Sequence, residues 1–253
     1  MTHTPEMFEA ALTTWREWQD SPWGRLRFTL AEANLAKHIP PRSRILDLAG
    51  ADGGDAIRLA AQGHDVTIVD FAPAMLAAAK QRADEAGVQI TCVEADATDM
   101  PDADYDVVLC HNLLQYQADP SAALKSAVRS LRPNGILSAM AINRHASPLT
   151  TAVRELDLVG ALDAVTATEA DTQTFSAKIT LYTAEEIAEV LEALGCEVRA
   201  HYGIRCVSDY ITDDDRKREP QFYAELERLE LALTGRHPYM HTARIFQLVA
   251  SSR

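Results

Sequence analysis

Short apolar runs alternate with stretches of helical periodicity from residue 44 to residue 141, and no other feature restricts the fold as tightly. Arg44-Ile45-Leu46-Asp47-Leu48 reads as a first strand, with Asp55–Gln62 as the helix behind it. Asp65–Asp70 is a second strand, followed by a helix over Pro73–Ala86 that turns Met75, Leu76, Ala79 and Ala83 to one face. Ile90–Glu94 and Asp106–Cys110 read as strands three and four. Pro120–Leu131 is a helix stopped by Pro133-Asn134-Gly135, and Ile136–Ala141 is a fifth strand. Strands separated by helices at this rhythm make βαβ units with right-handed crossovers, hence a parallel sheet.

The flanks extend this frame. Residues 6–38 read as helical, with Trp15, Trp18, Trp23, Leu26 and Phe28 among polar residues; Pro22-Trp23-Gly24 breaks the stretch in two and Pro40-Pro41 ends it. Between Asn143 and Leu181 the periodicity fails, which predicts an insertion over the carboxyl edge of the sheet. Thr183-Ala184-Glu185-Glu186 has the form of a capping box, opening a helix to Leu194 that Gly195 ends. Glu197–Val207 is then a strand, Lys217–Leu233 a helix and Ala243–Ala250 a last strand, a sequence that places an antiparallel strand at this edge of the sheet. The expected division is a helical lid over 1–40, a nucleotide-binding core over 41–142, the insertion over 143–182, and the rest of the sheet with acceptor-site residues over 183–253.

At 253 residues the chain can bury one large α/β core. No apolar run approaches the roughly 20 residues that cross a bilayer, and the N-terminus lacks a basic region followed by an apolar one. Cys92, Cys110, Cys196 and Cys206 lie in or beside apolar runs without metal-ligand spacing, so buried free thiols and no metal are expected. A cytoplasmic setting fits these traits. The net charge of −13 opposes a simple electrostatic nucleic-acid binder, although from Arg199 onward basic and acidic residues roughly match.

Ligands of open α/β sheets lie outside the carboxyl ends of the strands. The first strand runs into Asp47-Leu48-Ala49-Gly50-Ala51-Asp52-Gly53-Gly54, small residues that let backbone approach a ligand closely. Asp70 ends the second strand, where a carboxylate holds a ribose diol. Glu94-Ala95-Asp96-Ala97 ends the third, a place for an adenine edge, and Cys110-His111-Asn112-Leu113-Leu114 ends the fourth. A dinucleotide enzyme needs Gly-x-Gly-x-x-Gly; here Asp52 and Asp55 are expected near that turn, where they would repel a pyrophosphate.

Taken together these residues resemble the class I S-adenosylmethionine-dependent methyltransferases. Their first motif is similar to Asp47–Gly53; an acidic residue like Asp70, a pair like Asp96-Ala97 and a turn like Leu131-Arg132-Pro133-Asn134-Gly135 follow. The resemblance implies a Rossmann-like α/β fold with a seven-stranded, mostly parallel sheet. It implies S-adenosyl-L-methionine as cofactor, with Arg27, Asp47, Ala49, Gly50, Ala51, Asp70, Phe71, Asp96, Ala97 and His111 around it. Ala49 and Ala51 depart from the family, which commonly has glycine there, so the loop is expected to differ in shape or affinity.

Within that family the chain is similar to the bacterial tRNA methyltransferases that esterify 5-carboxymethoxyuridine. The similarity rests on Gly24-Arg25-Leu26-Arg27, His111, Gly203–Tyr210, Tyr223–Glu227, His237-Pro238-Tyr239 and Arg244. It implies tRNA as partner, Arg27 on the methionine carboxylate and His111 beside the cofactor. Since a carboxylate acceptor needs orientation more than a base, Arg205 and Arg244 are candidates to clamp it, with Tyr210 and Tyr239 beside them. Competing expectations are a small carboxylate or hydroxyl metabolite as acceptor, and a non-catalytic cofactor-binding sensor. Plainer readings stand next to the functional ones. Arg205 and Arg244 pair with Asp209 or Glu230, His111 is a core histidine, the tryptophans are packing, and Asp213–Arg218 is a solvated loop and helix start.

Overall fold

The computed structural model describes residues 4–117, 119–172 and 177–253. Helices α1 (Pro5–Ala10), α2 (Leu12–Asp20) and α3 (Pro22–Leu35) lead into strand β1 (Arg44–Leu48). Pro22 occupies the first turn of α3, where its missing N–H costs nothing, and the Ser21 hydroxyl accepts from Gly24 N at 3.1 Å. The expected break is therefore there, with a second at Ala11 that divides the preceding stretch into α1 and α2.

The alternating region folds in the succession its periodicity predicts, α4 (Gly54–Ala61), β2 (Asp65–Asp70), α5 (Pro73–Ala86), β3 (Thr91–Glu94), β4 (Tyr105–His111), α6 (Ser121–Arg129) and β5 (Leu131–Ile142). The exception is Leu131–Gly135, expected as helix end and stop, which belongs to β5, where Leu131 pairs with Tyr105 ahead of an irregularity in the register. The aperiodic insertion is built from two short helices, α7 (Ala146–Thr150) and α8 (Leu158–Ala164), joined by one wide turn over Thr151–Glu155, and a hairpin of β6 (Glu169–Thr172) with β7 (Ala177–Thr180). Such short elements bury too few residues to leave a legible period. Helix α9 (Ala184–Ala193) carries the capping box in full: Thr183 Oγ1 accepts from Glu186 N, and Glu186 Oε2 accepts from Thr183 N. Strand β8 (Glu197–Ile204), helix α10 (Pro220–Leu233) and strand β9 (Ile245–Ser251) complete the chain.

The seven-stranded sheet has the order β3-β2-β1-β4-β5-β9-β8. Strands β1 to β5 pair in parallel, while β9 runs antiparallel to both β5 and β8 and lies one place in from the edge. Strand order reverses between β1 and β4, which opens a crevice at their carboxyl ends. One face of the sheet is covered around Leu48, Val108, Leu124, Ile187, Leu191 and Phe246, the other around Leu35, Ile45, Leu59, Ile68, Leu76 and Leu109. Helix α3 also packs Leu26 and Leu30 against Met140, Ile204 and Ile245, so it is tied to the carboxyl half of the sheet. Among the described residues no helix is long and apolar enough to cross a membrane.

Two local readings change. Lys217, expected at a solvated helix start, precedes α10 and is 1% exposed: its Nζ donates to Asp214 at 2.8 Å, and Asp214 also takes Arg154 Nη2 at 2.7 Å. Cys92 is half-buried, whereas the other three cysteines are buried, and all four are free.

Candidate functional site

The crevice holds a cavity of about 270 Å³ whose floor is the loop after β1. Ala49 and Ala51 take left-handed φ values of 55° and 49°, conformations that L-residues with a Cβ enter at a cost of roughly 1–2 kcal/mol. Gly50, between them, is required for a different reason. A Cβ there would lie 2.8 Å from the Asp47 carboxyl carbon and from Ile68 Cγ2. The loop thus keeps glycine where space demands it and has alanine where conformation favours glycine.

Asp70, at the end of β2, lines the cavity and fastens this loop. Its carboxylate accepts from Ala51 N and Ala72 N, both at 2.9 Å. Burial pushes its pKa above the usual carboxylate range, with the backbone donors opposing. Phe71 and Met75 supply apolar wall, and Phe71 meets Phe8 edge to face at 5.7 Å. Asp96 and Ala97 stand at the end of β3; Asp96 Oδ1 accepts from Thr98 N and Thr98 Oγ1 at 2.8 Å, which fixes the turn at the rim.

Asp47 is 2% exposed beneath the loop, and burial, reinforced by Asp55, raises its pKa well above the ordinary range. Asp55 itself opens α4. Arg27 Nη1 reaches its two oxygens at 2.5 and 2.6 Å, and His111 Nδ1 reaches it at 3.0 Å. Burial alone would raise the Asp55 pKa; Arg27 and His111 outweigh it and hold the group well below the usual range. Arg27 Nη2 donates to Asn112 at 3.3 Å, while its buried Nε has no partner among the described residues.

His111 is held from both sides. Gln247 Nε2 donates to Ser138 Oγ at 3.0 Å, so the Ser138 hydroxyl proton is free to go to His111 Nε2, 2.8 Å away. The carboxylate of Asp55 only accepts, which assigns the proton on the ring to Nδ1. Burial keeps the imidazole below its ordinary pKa, with Asp55 pulling the other way. His111 is therefore a neutral, twice-satisfied side chain on the cavity wall.

The expectation that both Asp52 and Asp55 face the ligand is corrected here. Asp52 is fully buried behind the loop, where it accepts from Trp15 Nε1 at 2.9 Å, Gln19 Nε2 at 2.7 Å and the Arg82 guanidinium. Its role is to tie α2 to α5 and the loop. This tether sets Trp15 at the cavity, and Phe8 of α1 lines it beside Phe71 and Tyr116; no local pattern in the sequence marks either residue for a ligand.

The acceptor candidates lie together in the segments after β8 and before β9, and none of them is among the residues that line the cavity. Arg205 follows β8 with φ of 64°, is 5% exposed, donates from Nη2 to Asp209 Oδ1 at 3.0 Å and lies 5.9 Å over the Trp18 ring. Arg244 precedes β9, and its N–H donates to the Arg205 carbonyl at 3.1 Å. Burial lowers the Arg205 pKa, Asp209 opposes that, and the nearby positive charges of Arg244 and Arg27 add to the lowering. Arg244 makes no ion pair among the described residues, whereas Arg205 has the Asp209 partner of the plainer reading, in a buried setting. Glu230 partners neither arginine; it accepts from the backbone N–H groups of Cys206, Val207 and Ser208 and so builds the turn that presents Arg205. Tyr210 sends its hydroxyl to the Thr242 carbonyl beside Arg244, while Tyr239 stands 45% exposed on the neighbouring turn.

Comparison with known proteins matches this geometry. A family profile described as "Methyltransferase domain" covers residues 45–135. The chain is 30% identical to tRNA 5-carboxymethoxyuridine methyltransferase of Escherichia coli over 85% of its own length and 82% of that protein's. It is 32% identical to ubiquinone biosynthesis O-methyltransferase of Xylella fastidiosa over 50% of its length and 51% of that protein's. Among solved structures, a possible histamine N-methyltransferase of Thermotoga maritima superposes with a TM-score of 0.66, at 16% identity, over 99% of this chain and all of the other.

Proposed function

We propose, from the premise that this chain belongs to the S-adenosylmethionine-dependent methyltransferases, that it esterifies a carboxylate acceptor, specifically 5-carboxymethoxyuridine in tRNA. The cofactor is S-adenosyl-L-methionine, and the residues present suit it. Arg27 has a buried Nε beside the cavity wall with no partner among the described residues, apt for an α-carboxylate, and Ala49 and Ala51 put nothing larger than a methyl group on the cavity floor. On this reading Asp70 takes the ribose hydroxyls, Phe71 and Ala97 flank the base, and Asp96 with the Thr98 turn meets its polar edge.

When bound, the cofactor supplies an electrophilic methyl group carried on a sulfonium. The chain's part is to hold the acceptor in line and to exclude water. A hydroxyl acceptor would need its proton removed, and His111, the histidine on the cavity wall among the described residues, has both ring nitrogens engaged. That observation carries the preference for an acceptor already ionised at neutral pH. Arg244, which makes no ion pair among the described residues and lies next to Arg205 and Tyr210, supports a place for the acceptor's negative charge.

The competing reading, a small carboxylate or hydroxyl metabolite, draws on the resemblance to the ubiquinone O-methyltransferase. Methyl-labelled S-adenosylmethionine offered to tRNA bearing unesterified 5-carboxymethoxyuridine, and separately to a protein-free small-molecule extract, separates the two. Label in tRNA that mild base releases supports the ester. Label confined to the extract sinks the tRNA assignment. Arg244→Ala should raise the acceptor KM by about 10- to 100-fold, since a charge-assisted hydrogen bond is worth roughly 1.5–3 kcal/mol. A loss of turnover at unchanged KM would count against the clamp.

A further inference from the structure

Most arginines of this chain are spent on carboxylates, but those on one face are not. Arg25, Arg216 and Arg218 make no ion pair among the described residues, and each is exposed. Each is instead seated on an aromatic ring. Arg25 lies 4.4 Å over Tyr223, Arg216 5.3 Å over Phe222, and Arg218 5.7 Å over Trp23. A guanidinium stacked this way keeps its N–H edge outward, pre-oriented for an anionic oxygen, and loses little entropy on contact.

The face adjoins the reaction site. Trp23 and Arg27 are four residues apart on α3, hence one turn of the same helix, about 6 Å along it. Beyond Trp23 the chain passes through Trp18, over which Arg205 lies, to Trp15 on the cavity wall. Phe222 and Tyr223 of α10 pack against the cluster around Leu26 and Leu30, so the face is built on the helix that carries Arg27. Carboxylates temper the charge of this face. Asp214 is bound by Lys217 and Arg154, but Asp213, Asp215 and Glu219 are exposed nearby.

We infer that the face formed by Arg25, Arg216 and Arg218 on Tyr223, Phe222 and Trp23 holds the phosphate backbone of the tRNA whose modified base enters the cavity. This deepens the tRNA reading above and rests on it. Because the neighbouring carboxylates leave little net charge, the contact works by short-range hydrogen bonding and stacking and adds only a modest salt dependence.

The test compares wild type with Arg216→Ser/Arg218→Ser, assayed with tRNA bearing 5-carboxymethoxyuridine. The variant should raise the tRNA KM at least about 10-fold and reduce the slope of log affinity against log salt by about 1.5. Its kcat at saturating tRNA and its cofactor affinity should stay within twofold, which also verifies that it folds. Arg216→Lys/Arg218→Lys should recover most of the KM. An unchanged KM and salt slope in the serine variant overturns the surface while leaving the acceptor assignment intact. A wild-type protein that neither binds nor methylates this tRNA overturns both, and a kcat that falls in proportion to kcat/KM assigns these arginines to the reaction site instead.

Discussion

Ala49 and Ala51 store backbone strain in the loop that floors the cavity. Replacing both with glycine relieves about 1 kcal/mol at each site and returns about half of that through the freer unfolded chain. Ala49→Gly/Ala51→Gly should therefore gain about 1 kcal/mol, a rise of roughly 2–4 °C in Tm for a chain of this size. A lower Tm would mean that the alanine methyls pack for more than they strain. His201 offers a second residue-scale outcome. Its buried Nε2 has no partner among the described residues, and burial, helped by His241 and His237 against Glu185, brings its pKa down to about 4. Between pH 6.5 and about 4 the unfolded chain binds a proton here that the folded chain does not, so stability from this group is full above pH 6.5 and is lost as pH falls. Urea unfolding of wild type and His201→Gln should show wild type losing ground to the variant across that window, and parallel curves would refute it.

At the scale of elements, the insertion is fastened by a charge cluster in which Lys217 is buried and Arg154 and Asp214 are partly exposed. Arg154, in the turn between α7 and α8, donates to the Ile211 carbonyl at 2.8 Å and to Asp214 at 2.7 Å. Asp214 in turn is the partner of Lys217, whose side chain is 2% exposed. Removing one member of a buried pair leaves the other charge uncompensated, at a cost of roughly 3–5 kcal/mol; because Asp214 is itself partly exposed, the lower end applies. Asp214→Ala should lose about 3 kcal/mol and make residues 146–165 the first site of proteolytic cleavage, and a variant cleaved elsewhere first would show that the insertion is held by other contacts. The elements themselves differed in legibility. β1, β2 and α5 span the ranges their patterns predict, because a buried parallel strand and an amphipathic helix each impose a period. The insertion has no such period: Leu156, Leu158, Val159, Leu162 and Val165 are 60–81% exposed, so apolar residues there do not mark an interior.

For the whole molecule, the charge of −13 is spread over a surface whose basic residues are largely paired with carboxylates. The excess repels itself in the folded state, and at 0.1 M salt repulsion between exposed charges more than about 10 Å apart is largely screened. Raising sodium chloride from 10 mM to 0.2 M should thus raise Tm by a degree or more, whereas a fall would show that surface ion pairs contribute more than the repulsion. The succession of strands and helices along the chain, the parallel sheet they make and the loops after β1, β2, β3 and β4 that line the cavity were legible in the sequence alone. Periodicity and the glycine and proline punctuation act over a few residues and need no distant partner. Tertiary structure decided which charges meet. Arg27 and Asp55 are 28 residues apart and Asp55 and His111 are 56 apart, so no local pattern announces the trio that fixes a neutral histidine on the cavity wall. Nor does spacing reveal that Asp52 turns inward to Trp15, Gln19 and Arg82 while Asp55 turns to Arg27. The direction of a side chain depends on which elements pack against its loop, and that is settled only when α2 and α3 close over the sheet.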